Sequence, residues 1–430
     1  MQRDSILLFL TRTIRLFSYG WLSVGLLLYL TELGYTQTQI GSLFTFTLLG
    51  DLVITFYLTT TADVFGRRNT LIIGALLKIF SGLVFAFSSN IYILIFAGTV
   101  GVMSPTGGEI GPFIAVEQAA ITETIKDHNR ITSLFGWYNL IGYIAMALGA
   151  LTSGLTITAI QNNGYDDVIA YRWVLIGYAI NGFIMLILYL GISHDIEPLI
   201  TREYDATSYF SRFGLHRQSS KQVVFKLSLL FILDSFAGGF VMQTIIVYWF
   251  HTVYSMDTDL LGTMMMCANV FAGISALAAT PLVKKIGAIN TMVFTHLPSN
   301  IFLLLVPLMP NESLAVAMLL IRFCISQMDV PARQTYVALV VDADERSAAG
   351  GITNIVRSIG VALSPLLTGY LLSNPDNYYL FASPFLIAGG LKCLYDILLY
   401  VSFRLGQKVG SGQYSELATT DKKQTQTSKV

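Results

Sequence analysis

Charge is scarce in this sequence. Only 12% of its 430 residues are Asp, Glu, Lys or Arg, where a soluble chain carries roughly a quarter. The 26 basic and 26 acidic residues cancel to a formal net charge of zero, so the chain offers no basic surface and no nucleic-acid partner is expected. Cysteine is rare as well. Cys267, Cys324 and Cys393 each fall inside an apolar run, which suits small buried hydrophobes better than disulfides or metal ligands. No cluster of His, Cys and carboxylates has metal spacing and no Gly-rich lysine loop is present. A metal, a cofactor, ATP-driven work and covalent catalysis are therefore not expected. Nor is a cleavable leader: the short apolar patch at 6–10 runs into Arg12 and Arg15 without a small-residue cleavage pattern.

What fills the sequence instead is apolar. Hydrophobic residues make up 54% and mean hydropathy is +0.63, a composition that calls for lipid as the solvent. Stretches of about 20 apolar residues cross a bilayer as helices. They occur near 15–34, 38–59, 69–88, 91–120, 132–157, 171–192, 224–250, 259–280, 286–309, 313–333, 348–372 and 381–403. We number these spans 1 to 12.

Basic residues then set the orientation. With the N-terminus in the cytosol, Arg12, Arg15, Arg67, Arg68, Lys126, Arg130, Arg202, Arg212, Arg217, Lys221, Lys284, Lys285, Arg346 and Lys408 all lie on the cytosolic side, and Arg172 is the exception. One span more or fewer would scramble this asymmetry, so it supports the count as well as the orientation. The expected organisation is a cytosolic segment at 1–14, a six-helix bundle at 15–192, a cytosolic linker at 193–223, a second six-helix bundle at 224–403 and a disordered cytosolic tail at 404–430. The sequon at Asn311 falls in an outer loop, consistent with glycosylation or with chance. Tyr414 and Leu417 in the tail have the form of a tyrosine-based sorting signal. Such a signal leaves the plasma membrane and an endolysosomal or vacuolar membrane as the candidate locations.

The halves repeat. Ala62-Asp63-Val64-Phe65-Gly66-Arg67-Arg68 between spans 2 and 3 is echoed by Lys284-Lys285-Ile286-Gly287 between spans 8 and 9. Arg130 and Asn139 of span 5 are echoed by Arg346 and Asn354 of span 11. Two stacked bundles of this kind enclose a central cavity. Gly66 permits a tight reversal, and Asp63 suits the positive end of a neighbouring helix. On these residues the chain resembles the major facilitator superfamily, and within it drug/proton antiporter-like members. The resemblance implies an all-α membrane protein of twelve helices, with Asp63 latched to span 11 and Gly66, Arg67 and Arg68 completing the signature. It departs from the family at Thr59, where Gly is usual, and at Lys284, where the acid would recur. Residues 94–103 also lack the embedded arginine of proton-coupled members, and span 5 has Gly142, Gly149 and Gly154 without the Gly-Pro pair.

An ionisable group at mid-bilayer costs on the order of 3 kcal/mol by insertion scales and so faces a cavity or a partner. Spans 4 and 10 hold matching positions, and each places an acid shortly before a proline: Glu109 before Pro112, and Asp329 before Pro331. Glu109 and Asp329 are expected either to line the path, one of them exchanging a proton, or to fix helices structurally. Arg322 and Arg357 are expected either to hold an organic anion or to pair with Asp51 or Asp234. Trp137, Asn139 and Asn354 are assigned to the cavity face. Glu117, Arg130, Arg333 and Glu345 are read as an inner gate of reversible salt bridges or as helix caps. Lys392 and Asp396, spaced i,i+4, are expected to neutralise each other. The function so implied is a monomeric secondary transporter that moves a small organic solute by alternating access, with proton coupling open. The alternative is a transporter-like sensor, receptor or trafficking partner.

Overall fold

The computed structural model describes residues 3–107, 113–117, 128–197, 217–341 and 345–427. Side chains at 63, 64, 128–136, 195, 219, 338, 339, 346–348 and 404–427 lie outside that description. The helices are α1 (Arg3–Glu32), α2 (Gln37–Phe65), α3 (Arg67–Phe87), α4 (Ile91–Val100), α5 (His128–Asn162), α6 (Asp167–Leu190) and α7 (Gln218–Gly239). There follow α8 (Gln243–Tyr254), α9 (Thr258–Ile286), α10 (Ala288–Leu305), α11 (Glu312–Ser326), α12 (Asp329–Leu339), α13 (Arg346–Leu371) and α14 (Tyr378–Thr427). Among the described residues, eleven stretches are long and apolar enough to cross a membrane, and α4 is a shorter apolar helix. Continued by the helical residues 113–117, α4 completes twelve spans in two bundles of six.

Local chemistry explains where the helices start and stop. Thr36 and Gln39 form a reciprocal capping box at α2, Asn90 accepts the amides of Tyr92 and Ile93 at α4, and Asn311 accepts that of Leu314 at α11. The repeat seen in the sequence is also a repeat of backbone: Gly66 (φ 102°) and Gly287 (φ 85°) turn α2 into α3 and α9 into α10 at a conformation that L side chains avoid.

Three spans are broken. Span 4 leaves the helix at Gly101, span 7 between α7 and α8, and span 10 between α11 and α12. In span 10 the break precedes Asp329, so Pro331 sits in the first turn of α12, where its missing N–H is harmless. Span 1 differs from expectation in the other direction. Helix α1 begins at Arg3 and carries Arg12 and Arg15 buried inside the first bundle, because partners for both guanidinium groups are provided there. At the other terminus, the backbone of α14 stays helical to Thr427 where an unordered tail was expected. A helix already nucleated by its apolar part, which ends at Phe403, propagates into a Gln- and Lys-rich continuation at little cost.

The hydrophobic core is continuous at one end and divided at the other. One cluster joins Tyr29, Phe44, Ala150 and Tyr178 of the first half to Trp249, Leu261, Phe323 and Phe385 of the second. Towards the basic loops two separate clusters appear. Leu8, Leu71, Phe113, Tyr138 and Tyr189 belong to the first half, and Val224, Phe231, Met292, Tyr336 and Tyr395 to the second.

The joined end is sealed by two glycine crossings related by the repeat. Where span 2 meets span 11, a Cβ on Gly41 would stand 2.3 Å from the Pro365 carbonyl oxygen, and one on Gly369 would stand 2.2 Å from that of Gln37. Where span 5 meets span 8, a Cβ on Gly154 would stand 2.2 Å from the Thr258 carbonyl oxygen, and one on Gly262 would stand 2.7 Å from that of Ala150. Backbones can approach this closely only without side chains. Thr158 and Thr258 hydroxyls, 2.8 Å apart, and the Leu366 amide on Thr45 Oγ1, at 3.2 Å, add hydrogen bonds to the seal.

Gly369→Val should therefore force spans 2 and 11 apart and destabilise the sealed arrangement by about 1–3 kcal/mol, the usual cost of overpacking. The check is accessibility: a cysteine introduced at Thr45 should react faster with a membrane-impermeant thiol reagent in the Gly369→Val background. An unchanged rate would show that the crossing does not close this end.

Candidate functional site

Each half buries a charged cluster, and the clusters occupy corresponding spans with their signs exchanged. In the first half, Arg15 of span 1 meets Glu117 of span 4. Both are fully buried, with Nη1 2.6 Å from Oε1 and Nη2 2.8 Å from Oε2. Tyr189 and Thr11 donate to Oε1 at 2.8 and 3.2 Å, and Tyr138 donates to Oε2. Phe113 stacks on Tyr189 and underlies the Arg15 guanidinium. Every one of these partners belongs to the first half. Glu117 is therefore an internal brace of one bundle, where the sequence had allowed an inter-bundle gate.

In the second half, Asp234 of span 7 accepts from Lys392 of span 12 at 2.6 Å and lies 3.5 Å from Arg333 of span 10. Arg333 also bonds Asp329 at 3.1 Å, so Asp329 is held in an ion pair one turn away. His296 Nδ1 lies 2.9 Å from Asp396, Asn300 donates to the same carboxylate at 2.9 Å, and His296 Nε2 stands 3.9 Å from Asp234. The expected Lys392–Asp396 pair is thus not made. Both side chains turn across to other spans, where a full charge or a His–Asn pair meets them with shorter geometry than an i,i+4 contact along one helix.

Among the described residues Arg322 and Arg357 have no such partner. Arg322 is buried, with Nε lacking a hydrogen bond, and it feels Asp234 and Asp329 only at longer range. Arg357 donates from Nε to Ser235 Oγ at 3.1 Å. It lines a cavity of about 160 Å³ with Phe231, Arg333, Gln334, Val337, Gly350, Thr353 and Asn354. The cavity lies in the half of the molecule where the cores are divided.

The remaining expected site residues are scattered. Trp137 is 60% exposed and shares a helix face with Ile144, Leu148 and Leu155, all exposed and apolar, so it faces lipid and not the cavity. Its neighbour Asn139 accepts from Arg12 at 3.1 Å, and Tyr143 on the same face donates to Gln327 in the break of span 10 at 3.3 Å. Asp51 is buried in span 2, 3.4 Å from Thr55 Oγ1 and within the field of Tyr178. Glu109 lies outside the described residues, as do the side chains of Asp63 and Arg130.

Arg67 and Arg68 do more than anchor topology. Their amides donate to the Glu197 carboxylate at 2.7 and 3.1 Å, capping α3. Their guanidinium groups donate to the Tyr189 and Leu190 carbonyls at the end of α6 and to that of Ile196 in the turn beyond it. Glu345 accepts the Arg217 amide at 2.8 Å, within the second half. Asn311 is exposed and serves as an N-cap. Tyr414 and Leu417 fall where only backbone is described.

Several residues escaped the sequence reading. Arg15 passed for a topology anchor. His296 was overlooked because it carries no permanent charge, although His296 and Asn300, one turn apart in an apolar run, were a usable signal. The breaks of spans 4 and 7 also meet each other: Gln243 donates its amide to Thr106 at 3.4 Å, Thr244 donates to Pro105 at 2.7 Å, and the Gln243 side chain reaches Asn269 at 2.9 Å. Discontinuous helices of this kind mark the binding region in carriers. Lys78 of span 3, by contrast, was legible in the sequence as an embedded charge, and it is a further buried cation. Among the described residues its amine has no hydrogen-bond partner, and it sits 3.4 Å from the Tyr178 ring centroid and 5.0 Å from that of Tyr19.

The geometry agrees with comparisons to known proteins. A family model described as Major Facilitator Superfamily matches residues 8–328. The chain is 29% identical over 428 residues to the uncharacterized membrane protein YJR124C of Saccharomyces cerevisiae, covering 93% of this chain and 94% of that protein. Among solved structures, a mutant of the nucleoside transporter NupG superimposes with TM-score 0.73 at 13% identity, over 93% of this chain and 100% of its own. The inward-open xylose transporter XylE from E. coli gives TM-score 0.69 at 13% identity, over 92% and 95%. A bacterial homologue of the human lysosomal transporter Spinster, inward-facing and unoccupied, gives 0.68 at 14%, over 93% and 96%. At such identities the likeness is one of fold.

Removing one member of the Arg15–Glu117 pair leaves a buried charge and buried hydroxyls without partners. Arg15→Met should cost about 3–5 kcal/mol of stability. The double change Arg15→Met with Glu117→Leu should recover part of that loss. Thermal unfolding in detergent measures both; a single variant as stable as the parent would remove the brace role.

Proposed function

Because the chain belongs to the major facilitator superfamily, we propose that it is a secondary transporter that moves a small organic solute by alternating access. The reading rests on one observation above all: a single core at the end sealed by the glycine crossings, and two separate cores at the end of the basic loops. Such an arrangement suits a carrier whose halves rock about a shared seam. With the basic loops and both termini in the cytosol, the divided end faces inward. The braces around Glu117 and Asp234 keep each half rigid during that motion. The meeting point of the broken spans, at Gln243 and Thr106, is the natural centre of the path.

The bundle boundaries near 192 and 224, the monomeric state and the plasma or endolysosomal membrane belong to the same proposal. The drug/proton antiporter-like subtype rests on Asp63, Gly66, Arg67 and Arg68 alone. For energy, two sources fit: a proton gradient acting through the His296–Asp396 pair, Asp329 or Glu109, or the solute gradient by itself.

Flux in proteoliposomes tests the proposal. With a mixture of metabolites outside, at least one organic solute should accumulate inside in a saturable way, and Gly369→Val or Gly154→Val should reduce its rate at least tenfold. An imposed pH gradient that drives accumulation in the parent but not in His296→Gln would select the proton. No flux of any solute, together with capture of a cytosolic partner by the intact protein, would favour the sensor or trafficking reading.

A further inference from the structure

The second half buries Arg322, Arg333 and Lys392 together with Asp234, Asp329, Asp396 and Glu345, and Arg357 is half-buried. The four carboxylates are all engaged, Asp234 by Lys392 and Arg333, Asp329 by Arg333, Asp396 by His296 and Asn300, and Glu345 by the Arg217 amide. Among the described residues neither Arg322 nor Arg357 has a carboxylate within ion-pair distance. Arginine cannot shed its proton to escape this situation, and a membrane interior provides no counter-ion of its own. An anion that enters would supply what these two guanidinium groups lack.

The geometry around Arg357 offers such an anion a seat. Ser235 holds Nε and so fixes the plane of the guanidinium, leaving both terminal nitrogens without a hydrogen bond to the described protein. That is the fork that accepts two oxygens of one carboxylate or phosphoryl group. The fork borders the cavity between spans 7, 10 and 11. The cavity's space is that of about five water molecules at ~30 Å³ each. Gln334 and Asn354 supply exposed amides to it, and Phe231 and Val337 supply an apolar wall. Arg322 of span 10 is not part of the cavity wall but shares the field of Asp234 and Asp329 with Arg357. Lys78 in the first half is different, since two tyrosine rings already cover its amine.

We propose that this cavity binds the oxyanion of a small organic acid, a carboxylate or phosphoryl group on a compact apolar body, with Arg357 as its direct ligand and Arg322 supplying the second positive charge. The proposal deepens the transporter reading and names the class of its solute.

Binding to the purified full-length protein at constant ionic strength tests it, with benzoate and phenyl phosphate as the anionic probes and benzamide as the neutral analogue. Both anions should raise the unfolding temperature and bind saturably, and benzamide should do neither. Arg357→Gln and Arg322→Gln should each weaken anion binding at least tenfold, with Arg357→Lys intermediate. Asn354→Asp, at an exposed wall position that leaves the packing intact, should weaken it similarly by placing a negative charge in the cavity. Equal binding of benzamide and benzoate, no binding of either anion, or anion binding that survives both Arg→Gln changes would overturn the proposal. The two readings fail separately: a protein that carries only neutral solutes into liposomes loses the anion site and keeps transport. Anion binding without any flux does the reverse.

Discussion

Lipid cannot solvate a charge, and this constraint shapes nearly every polar contact in the molecule. An ion inside the bilayer needs a partner, here most often one in another span, so charged side chains act as ties between helices and hardly at all as surface decoration. Arg15, Glu117, Asp234, Arg333 and Lys392 all follow the rule, each reaching a residue of a different span. Apolar packing alone does not discriminate strongly between helix pairs in a membrane, because lipid tails are as apolar as leucine. The ion pairs and the small-residue crossings therefore decide which helices stay together and which are free to part.

The duplicated architecture uses the two devices differently. Glycine crossings join the halves, and they occur twice in symmetric places, spans 2 with 11 and 5 with 8. Ion pairs act within a half, and they too occupy matching spans, but with the signs exchanged: the cation of span 1 and acid of span 4 become the acid of span 7 and cation of span 10. The first cluster closes on itself, with tyrosine hydroxyls filling the remaining valences of Glu117. In the second, Arg322 and Arg357 have no carboxylate within ion-pair distance among the described residues.

The broken spans connect these devices to the centre of the molecule. Spans 4 and 7 unwind opposite each other, and the carbonyls of Pro105 and Thr106 released in span 4 are taken up by Thr244 and Gln243 of span 7. Irregular backbone is tolerated at membrane depth only where protein or a water-filled cavity satisfies it. Here the two halves satisfy each other, so their relative movement has to exchange these bonds for others.

Much of this was legible in the sequence. Hydropathy and basic-residue asymmetry counted the spans, because lipid imposes length and composition on each crossing independently of its neighbours. The echo of Asp63-Val64-Phe65-Gly66 near Gly287 announced the duplication, because a left-handed turn needs glycine wherever it occurs. The list of embedded charges also contained Asp234, Asp329, Arg322 and Arg357, all of which the structure places in the second half. What one dimension could not convey was pairing. Lys392 and Asp396 share a helix face and yet turn to different spans, Arg15 near the terminus proves to be buried, Trp137 points to lipid beside an inward-facing Asn139, and the neutral His296 joins a cluster assembled from four spans. Spacing along a helix ranks contacts within that helix, whereas a buried charge is satisfied by whichever neighbour the bundle brings closest, and only the tertiary arrangement decides which one that is.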